Sequence, residues 1–256
     1  MANNPMSEND NPKIRKIDTG TGNGLESTIP GIPGTTGRYL VLFREDATEE
    51  GLKHLRKATG RTIANAAETL SAVPIRADVT NESDVARTYR EVLQAFGHLD
   101  ILVNNAGSGV FKKLVDMDRG SFDAVFATNV TGAMLMGREA AKHFIQQNRG
   151  NIINICSTAS LRGAANGTAY YASKFALRGM TECWRAELRQ YNVRVFLVNP
   201  SEVLTSFAAT AGYAQKDENP TKLRGEDVAQ MVKAMLEMAG RGFTPELTIF
   251  ATNPKD

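Results

Sequence analysis

The sequence predicts an α/β fold, a doubly wound parallel sheet with helices on both faces, whose first βαβ portion is atypical or missing. Three observations carry this prediction. From about Ala72 to the C-terminus, short apolar runs alternate with stretches of helical periodicity, the pattern of repeated strand–helix–strand units with right-handed crossovers. The runs are continuously apolar, as strands buried on both faces require. The polar motifs Asp78, Asn104–Gly107, Ser157 and Asn199–Thr205 all follow such runs, which gathers them at the carboxyl edge of the sheet, where these folds bind ligands.

Taken in order, residues 1–37 are rich in Asn, Gly, Pro, Ser and Thr and read as a flexible segment. Within it, Thr19-Gly20-Thr21-Gly22-Asn23-Gly24 has the glycine content of a phosphate-holding turn. The charged Lys13–Asp18 before it and Pro30 and Pro33 after it do not supply the strand and helix such a turn needs, so it reads as linker. Residues 38–71 form an atypical strand–helix region: a strand at Tyr39–Phe43, a helix opening at Asp46, and a helix or loop over Thr62–Leu70. The main domain, 72–256, then runs regularly. Strands are expected at Val73–Ala77, Leu99–Asn104, Asn151–Cys156, Val193–Val198 and Leu247–Phe250. Helices are expected at Glu82–Phe96, about Ser121 to Gln147, Thr168 through Trp184 to Gln190, and Glu226–Met238. The loop from Phe207 to Leu223 would cover the pocket, and it carries no charge cluster or aromatic box that names a substrate.

Composition narrows the function classes. Thirty basic residues against 28 acidic ones give a net charge of +2, so nothing electrostatic favours nucleic acid or an anionic membrane as a partner. No apolar run is long enough to span a bilayer, and the N-terminus lacks the apolar core of a secretory signal. Cys156 and Cys183 sit in strand-like and helix-like runs and are expected to be buried thiols, which points to a reducing, cytoplasmic setting. His54, His98 and His143 have no metal-ligand spacing, so no metal is expected.

The chemistry concentrates between Ser157 and Lys174. Tyr170 and Lys174 stand four residues apart, one turn apart on one helix face. An ammonium beside a phenol favours phenolate and lowers a pKa that is ordinarily about 10, equipping Tyr170 to give or take a proton. Taken singly, each notable residue has a plainer reading: Asp78 as a helix cap, Asn105–Gly107 as a turn, Asn129 as a buried polar kink, Tyr170 as a core ring beside a solvated lysine.

Together, Asp78-Val79, Asn104-Asn105-Ala106-Gly107, Asn129, Ser157, Tyr170-x-x-x-Lys174 and Asn199-Pro200-Ser201-x-Val203-x-Thr205 resemble, in order and spacing, the short-chain dehydrogenase/reductase family. The resemblance runs from about Ala72 to Pro254 and implies a Rossmann-like sheet. It implies that Tyr170 is the general acid in reduction and the base in oxidation, with Lys174 lowering its pKa and holding the nicotinamide ribose. Ser157 would hold the substrate carbonyl oxygen, and Asn129 would interrupt its helix and help a water relay to Lys174. Asp78 and Val79 would face the adenine, Asn105, Ala106 and Gly107 would line the cofactor path, and Pro200, Val203 and Thr205 would border the nicotinamide.

The implied protein interconverts a carbonyl and an alcohol on a small molecule by hydride transfer from or to NAD(P)(H). The segment Thr244–Phe250 looks most like the 3-oxoacyl-carrier-protein reductases. NADP is favoured over NAD because Arg44 follows the Tyr39–Phe43 strand, where a 2′-phosphate could be met. The helices over Val130–Phe144 and Met180–Trp184 would join subunits, implying a homodimer or homotetramer.

One feature departs from the family: its glycine-rich loop after a central first strand has no good copy here. Three explanations are open. Thr19–Gly24 is a degenerate loop with Tyr39–Phe43 as second strand; or Tyr39–Phe43 fills the first-strand slot; or the first seventy or so residues are foreign to the family. The third is preferred, because residues 37–60 are faintly similar to the strand–helix propeptide modules of subtilisin-like proteases. The alternative function is then a non-catalytic family-derived scaffold or fusion that does not bind the dinucleotide.

Overall fold

The computed structural model describes the strand at residues 39–43 and residues 72–205, 207, 219 and 221–253. The expectations for residues 1–37, Thr19–Gly24, Arg44, the helix from Asp46, His54, Thr62–Leu70 and most of the loop after Phe207 lie outside the described residues. The strands are β1 (Tyr39–Phe43), β2 (Ala72–Arg76), β3 (Ile101–Asn104), β4 (Gly150–Ile155), β5 (Val193–Pro200) and β6 (Glu246–Ile249). The helices are α1 (Glu82–Phe96), α2 (Arg119–Phe126), α3 (Ala133–Gln147), α4 (Thr168–Leu188) and α5 (Gly225–Glu237). Strand edges therefore fall within two residues of the expected ones, β1 matching at both ends, while α1 has the bounds its periodicity predicts.

Local chemistry explains the helix ends. The Asn81 side chain accepts from the backbone of Ser83 and Asp84 to start α1, with Glu82 and Asp84 in the first turn, and Gly97 ends it at φ 78°. Asn148 and Asn192 adopt the left-handed conformation after α3 and after the 3₁₀ turn that follows α4. The long helix predicted over about 121–147 is present but interrupted: α2 passes into a π-helical turn, Ala127–Gly132, before α3 resumes. Asn129 lies in that turn, as an interruption at this residue predicts.

Strands β3, β4, β5 and β6 form a parallel sheet in that order, with Asn104 opposite Asn154 and Asn199 opposite Thr248. A separate parallel pair joins β1 to β2, Tyr39 opposite Ala72, so Tyr39–Phe43 does not take a place beside β3. In β3, Leu102 and Asn104 are buried while Val103 is 45% exposed. Among the described residues, cover over this strand is complete on the Leu102 and Asn104 face.

Helices α1, α3 and α4 share one core with β4 and β5, built on Val85, Tyr89, Phe144, Ile152, Leu188 and Val195. Across the sheet, Met235 and Leu236 of α5 pack on Ile153, Phe196 and Val198. The α3 and α4 faces expected to pack do so within the chain, where the Trp184 ring lies against Gly137. Cys156 is buried, but Cys183 is exposed, contrary to expectation, because it lies on the outer face of α4; neither thiol is in a disulfide.

Candidate active site

The carboxyl ends of β3, β4 and β5 deliver the polar residues to one region. β4 ends beside Ser157, which opens a 3₁₀ turn, Thr158–Ser160; its hydroxyl accepts from the Ala159 N–H at 3.1 Å. α4 then begins at Thr168 and carries Tyr170 and Lys174 one turn apart. Lys174 is buried, and its Nζ donates to the Ile155 carbonyl at 3.2 Å and lies 5.7 Å from the Tyr170 ring centroid. Burial lowers the Lys174 pKa.

The Tyr170 hydroxyl is pushed up to about 12, chiefly by burial, with the neighbouring Ser157 hydroxyl pulling the other way. The expected lowering by lysine is absent in this state. Lys174 is itself desolvated and directed to a backbone carbonyl, so burial of the phenol decides the sign.

The π turn gives Asn129 its position. Its amide donates to the Ser108 carbonyl at 2.8 Å and to Ser173 Oγ at 2.9 Å, and its oxygen accepts from Ser108 N–H at 2.8 Å. Ser173 Oγ in turn donates to the Tyr170 carbonyl at 2.7 Å. Asn129 thus ties the loop after β3 to α4, with every amide group engaged. Gly107 lies against this group: a Cβ there would stand 3.5 Å from Asn129 Oδ1 and 3.7 Å from Lys174 Nζ.

Asp78 Oδ1 accepts from both the N–H and the hydroxyl of Thr80, and Asp78 N–H donates to Asp84, so this residue also closes the turn before α1. Val79 packs on Gly132 and, with Ala106, Thr128 and Met136, lines a small cleft beside the π turn. Asn105 and Ala106 are exposed. Pro200 is buried at the end of β5, Val203 bridges to Leu223, and the Thr205 hydroxyl accepts from Phe207 N–H at 3.3 Å.

Two features escaped the sequence reading. Around Tyr170 stand Phe111, Phe207 and Tyr171, with ring centroids 5.3, 5.4 and 6.0 Å away, over a buried Gly109. The aromatic environment that Phe207–Leu223 alone does not announce is assembled from three segments distant in sequence. The second is an ionic chain through Arg178, one turn beyond Lys174; that spacing was its available signal.

The described residues match the two ends of a dinucleotide in chemistry, while the cleft itself holds only about 10 Å³. Val79, Ala106 and Met136 give it a largely apolar lining, as an adenine edge requires, and Gly107, lacking a Cβ, lies beside a buried ammonium with two N–H groups beyond its Ile155 bond. The fragment considered for the pyrophosphate, Thr19–Gly24, lies outside the described residues. Among the described residues there is no cluster of three or more His, Cys, Asp or Glu that could hold a metal, and no helix is long and apolar enough to cross a membrane.

The comparisons agree with this geometry. The chain is 32% identical over 172 residues to secoisolariciresinol dehydrogenase of Forsythia intermedia, a match covering 66% of this chain and only 61% of that protein's length. It is 28% identical over 233 residues to an uncharacterized oxidoreductase of Staphylococcus aureus, covering 91% of this chain and 95% of that one. Among solved structures, a metagenomic short-chain oxidoreductase in complex with NADP superposes with a TM-score of 0.66 at 29% identity, covering 85% of this chain and 86% of that one. The short chain dehydrogenase family model matches residues 41–216, beginning within the stretch read as atypical. With the parallel sheet, the Asn129 turn and the Ser157, Tyr170 and Lys174 cluster in place, the chain belongs to the short-chain dehydrogenase family.

Proposed function

We propose that this protein is an NADP(H)-dependent oxidoreductase that interconverts a carbonyl and an alcohol on a small molecule. One observation carries the reading: the buried Lys174 ammonium lies 5.7 Å from the Tyr170 ring, with Ser157 beside the phenol and Gly107 against the ammonium, so a proton donor and a cation able to hold ribose hydroxyls share one site. NADP is preferred to NAD because a solved relative holds it.

A bound nicotinamide would supply the hydride for the carbonyl carbon. Ser157 Oγ, fixed by the turn it opens, donates to the carbonyl oxygen and polarises it. Tyr170 gives its hydroxyl proton to that oxygen as negative charge develops there, and takes it back in the oxidation direction. Lys174 holds the ribose hydroxyls through the two N–H groups that Ile155 leaves free, and its charge favours the tyrosinate left behind. Asn129 keeps Ser108 and Ser173 in register, which holds the loop after β3 against α4.

Asp78 and Val79 flank the adenine, Asn105, Ala106 and Gly107 line the path between, and Pro200, Val203 and Thr205 border the nicotinamide. The aromatic wall of Phe111, Tyr171 and Phe207 favours an apolar group on the substrate, consistent with a small ketone or a 3-oxoacyl thioester. Subunit association as a homodimer or homotetramer belongs to the same reading.

Titration of the purified protein with NADPH and NADH, followed by nicotinamide fluorescence, tests it. NADPH binding is expected, and Tyr170→Phe should keep binding while losing ketone reduction. No binding of either cofactor at high micromolar concentration would instead support a non-catalytic scaffold.

A further inference from the structure

We infer that Arg178, Glu246, Asn199 and Ser160 form one positioning chain that sets the Ser157 hydroxyl against Tyr170. The Arg178 guanidinium, one turn beyond Lys174 on α4, makes two parallel hydrogen bonds to the Glu246 carboxylate of β6, at 2.6 and 2.8 Å. Glu246 Oε1 also accepts from Asn199 Nδ2 at 2.9 Å, and Asn199 Oδ1 accepts from Ser160 Oγ at 3.0 Å. Ser160 closes the turn that Ser157 opens: its N–H donates to the Ser157 carbonyl at 2.9 Å. Asn199 and Ser160 are fully buried, while Arg178 and Glu246 are about three-tenths exposed.

The geometry explains why four residues are needed. Ser157 hangs from β4 and Tyr170 from α4, and the Ser160 hydroxyl, which also neighbours the Cys156 thiol, joins the turn after Ser157 to Asn199 of β5. Asn199 must be an amide, because it receives a hydrogen bond on one side and gives one on the other. Glu246 must be an acceptor toward both Asn199 and Arg178. The same guanidinium also pairs along α4 with Glu182 at 3.4 Å, an exposed contact that reaches nothing in the site. The turn bearing Ser157 is thereby locked to the helix bearing Tyr170 through β5 and β6.

The inference rests on the proposed proton transfer for its consequence, and its test separates the two. Position 170 is filled with 3,5-difluorotyrosine, and its ionisation is followed by ¹⁹F NMR in the protein without cofactor. The groups facing it are the Ser157 hydroxyl, the Lys174 ammonium, the Cys156 thiol and Tyr171. Ser160→Ala and Glu246→Gln are expected to raise the apparent pKa by about half a unit, roughly a threefold change in ionisation constant, in the direction produced by Ser157→Ala.

The paired exchange of Arg178→Glu with Glu246→Arg restores an ion pair but places a donor opposite the Asn199 amide. It should recover the melting temperature and not the pKa. In the unlabelled enzyme, Ser160→Ala should lower kcat about tenfold with KM for NADPH within about twofold. Recovery of both melting temperature and pKa by the exchange, or an unmoved pKa in Ser160→Ala and Glu246→Gln, would overturn the inference. A wild-type protein that neither binds nor uses NADPH would remove the functional reading, and the fluorine titration would still decide on the chain.

Discussion

Gly107→Ala separates the fold from the cofactor site. The residue has no positive φ, and an added Cβ would sit 3.5 Å from Asn129 Oδ1, 3.7 Å from Lys174 Nζ and 3.9 Å from the Asn105 carbonyl. These are ordinary contact distances, so the folded protein loses little; a stability change within about 0.5 kcal/mol of zero is expected, since alanine also restricts the unfolded chain. The same methyl group would stand at the approach to the buried Lys174 ammonium. Losing one charge-assisted hydrogen bond to the ribose costs about 1.5–3 kcal/mol, or roughly 10- to 150-fold in Kd. Fluorescence titration with NADPH, alongside thermal melting, measures both quantities. An unchanged melting temperature with an unchanged Kd would show that the ribose does not pass Gly107, and the site would have to be redrawn.

Gly150→Ala should behave in the opposite way: its Cβ would fall 2.2 Å from the fully buried Phe144 ring, so a loss of about 1–3 kcal/mol and a lower melting temperature are expected with Kd unchanged in the remaining folded protein. Asn154→Leu would remove the centre of a buried chain in which Asn104 donates to Asn154 at 2.9 Å and Asn154 donates to Thr181 at 2.8 Å; Asn104 keeps its bond to the Ala133 carbonyl but one amide N–H loses its partner, so urea unfolding should show a loss of about 1–3 kcal/mol with an unchanged slope. Alkaline stability should fall between about pH 10 and 12, because Tyr170 ionises near 10.0 in the unfolded chain and only at about 12 in the folded one, so the folded state holds the proton longer. Tyr89, buried and likewise shifted upward, adds to the fall, and Tyr170→Phe should flatten the decline of melting temperature over that interval.

The helices and strands of 72–256 were legible because local signals agreed with burial. Asn81, Glu82 and Asp84 mark the start of α1 and Gly97 its end, and Val85, Tyr89 and Val92 face the core at helical spacing. The Tyr170–Lys174 pair was legible for a similar reason, since a four-residue spacing means one helix face whatever the surroundings. What escaped depends on contacts between distant segments. Phe111 and Phe207 each pack against Tyr170 from distant segments, and Glu246 meets Arg178 because β6 lies beside β5. The sign of the Tyr170 shift was missed because spacing shows that a lysine is near but not how deeply the phenol is buried. Cys183 was misread because a helix-like run does not reveal which side of the helix a residue takes.

The π turn at Ala127–Gly132 has a consequence for which sequence changes the protein can tolerate. Such a turn holds one residue more than an α-helical one, so deleting a residue there would convert α2 and α3 into a single regular helix. Because the extra residue is taken up within the turn, the helices on either side keep their phase, and Met136, Ala140 and Phe144 would still face the sheet they pack against. What the deletion removes is the bulge that aims Asn129 at Ser108 and Ser173. The core therefore does not guard this irregularity: a one-residue deletion there should spare the fold and silence the site.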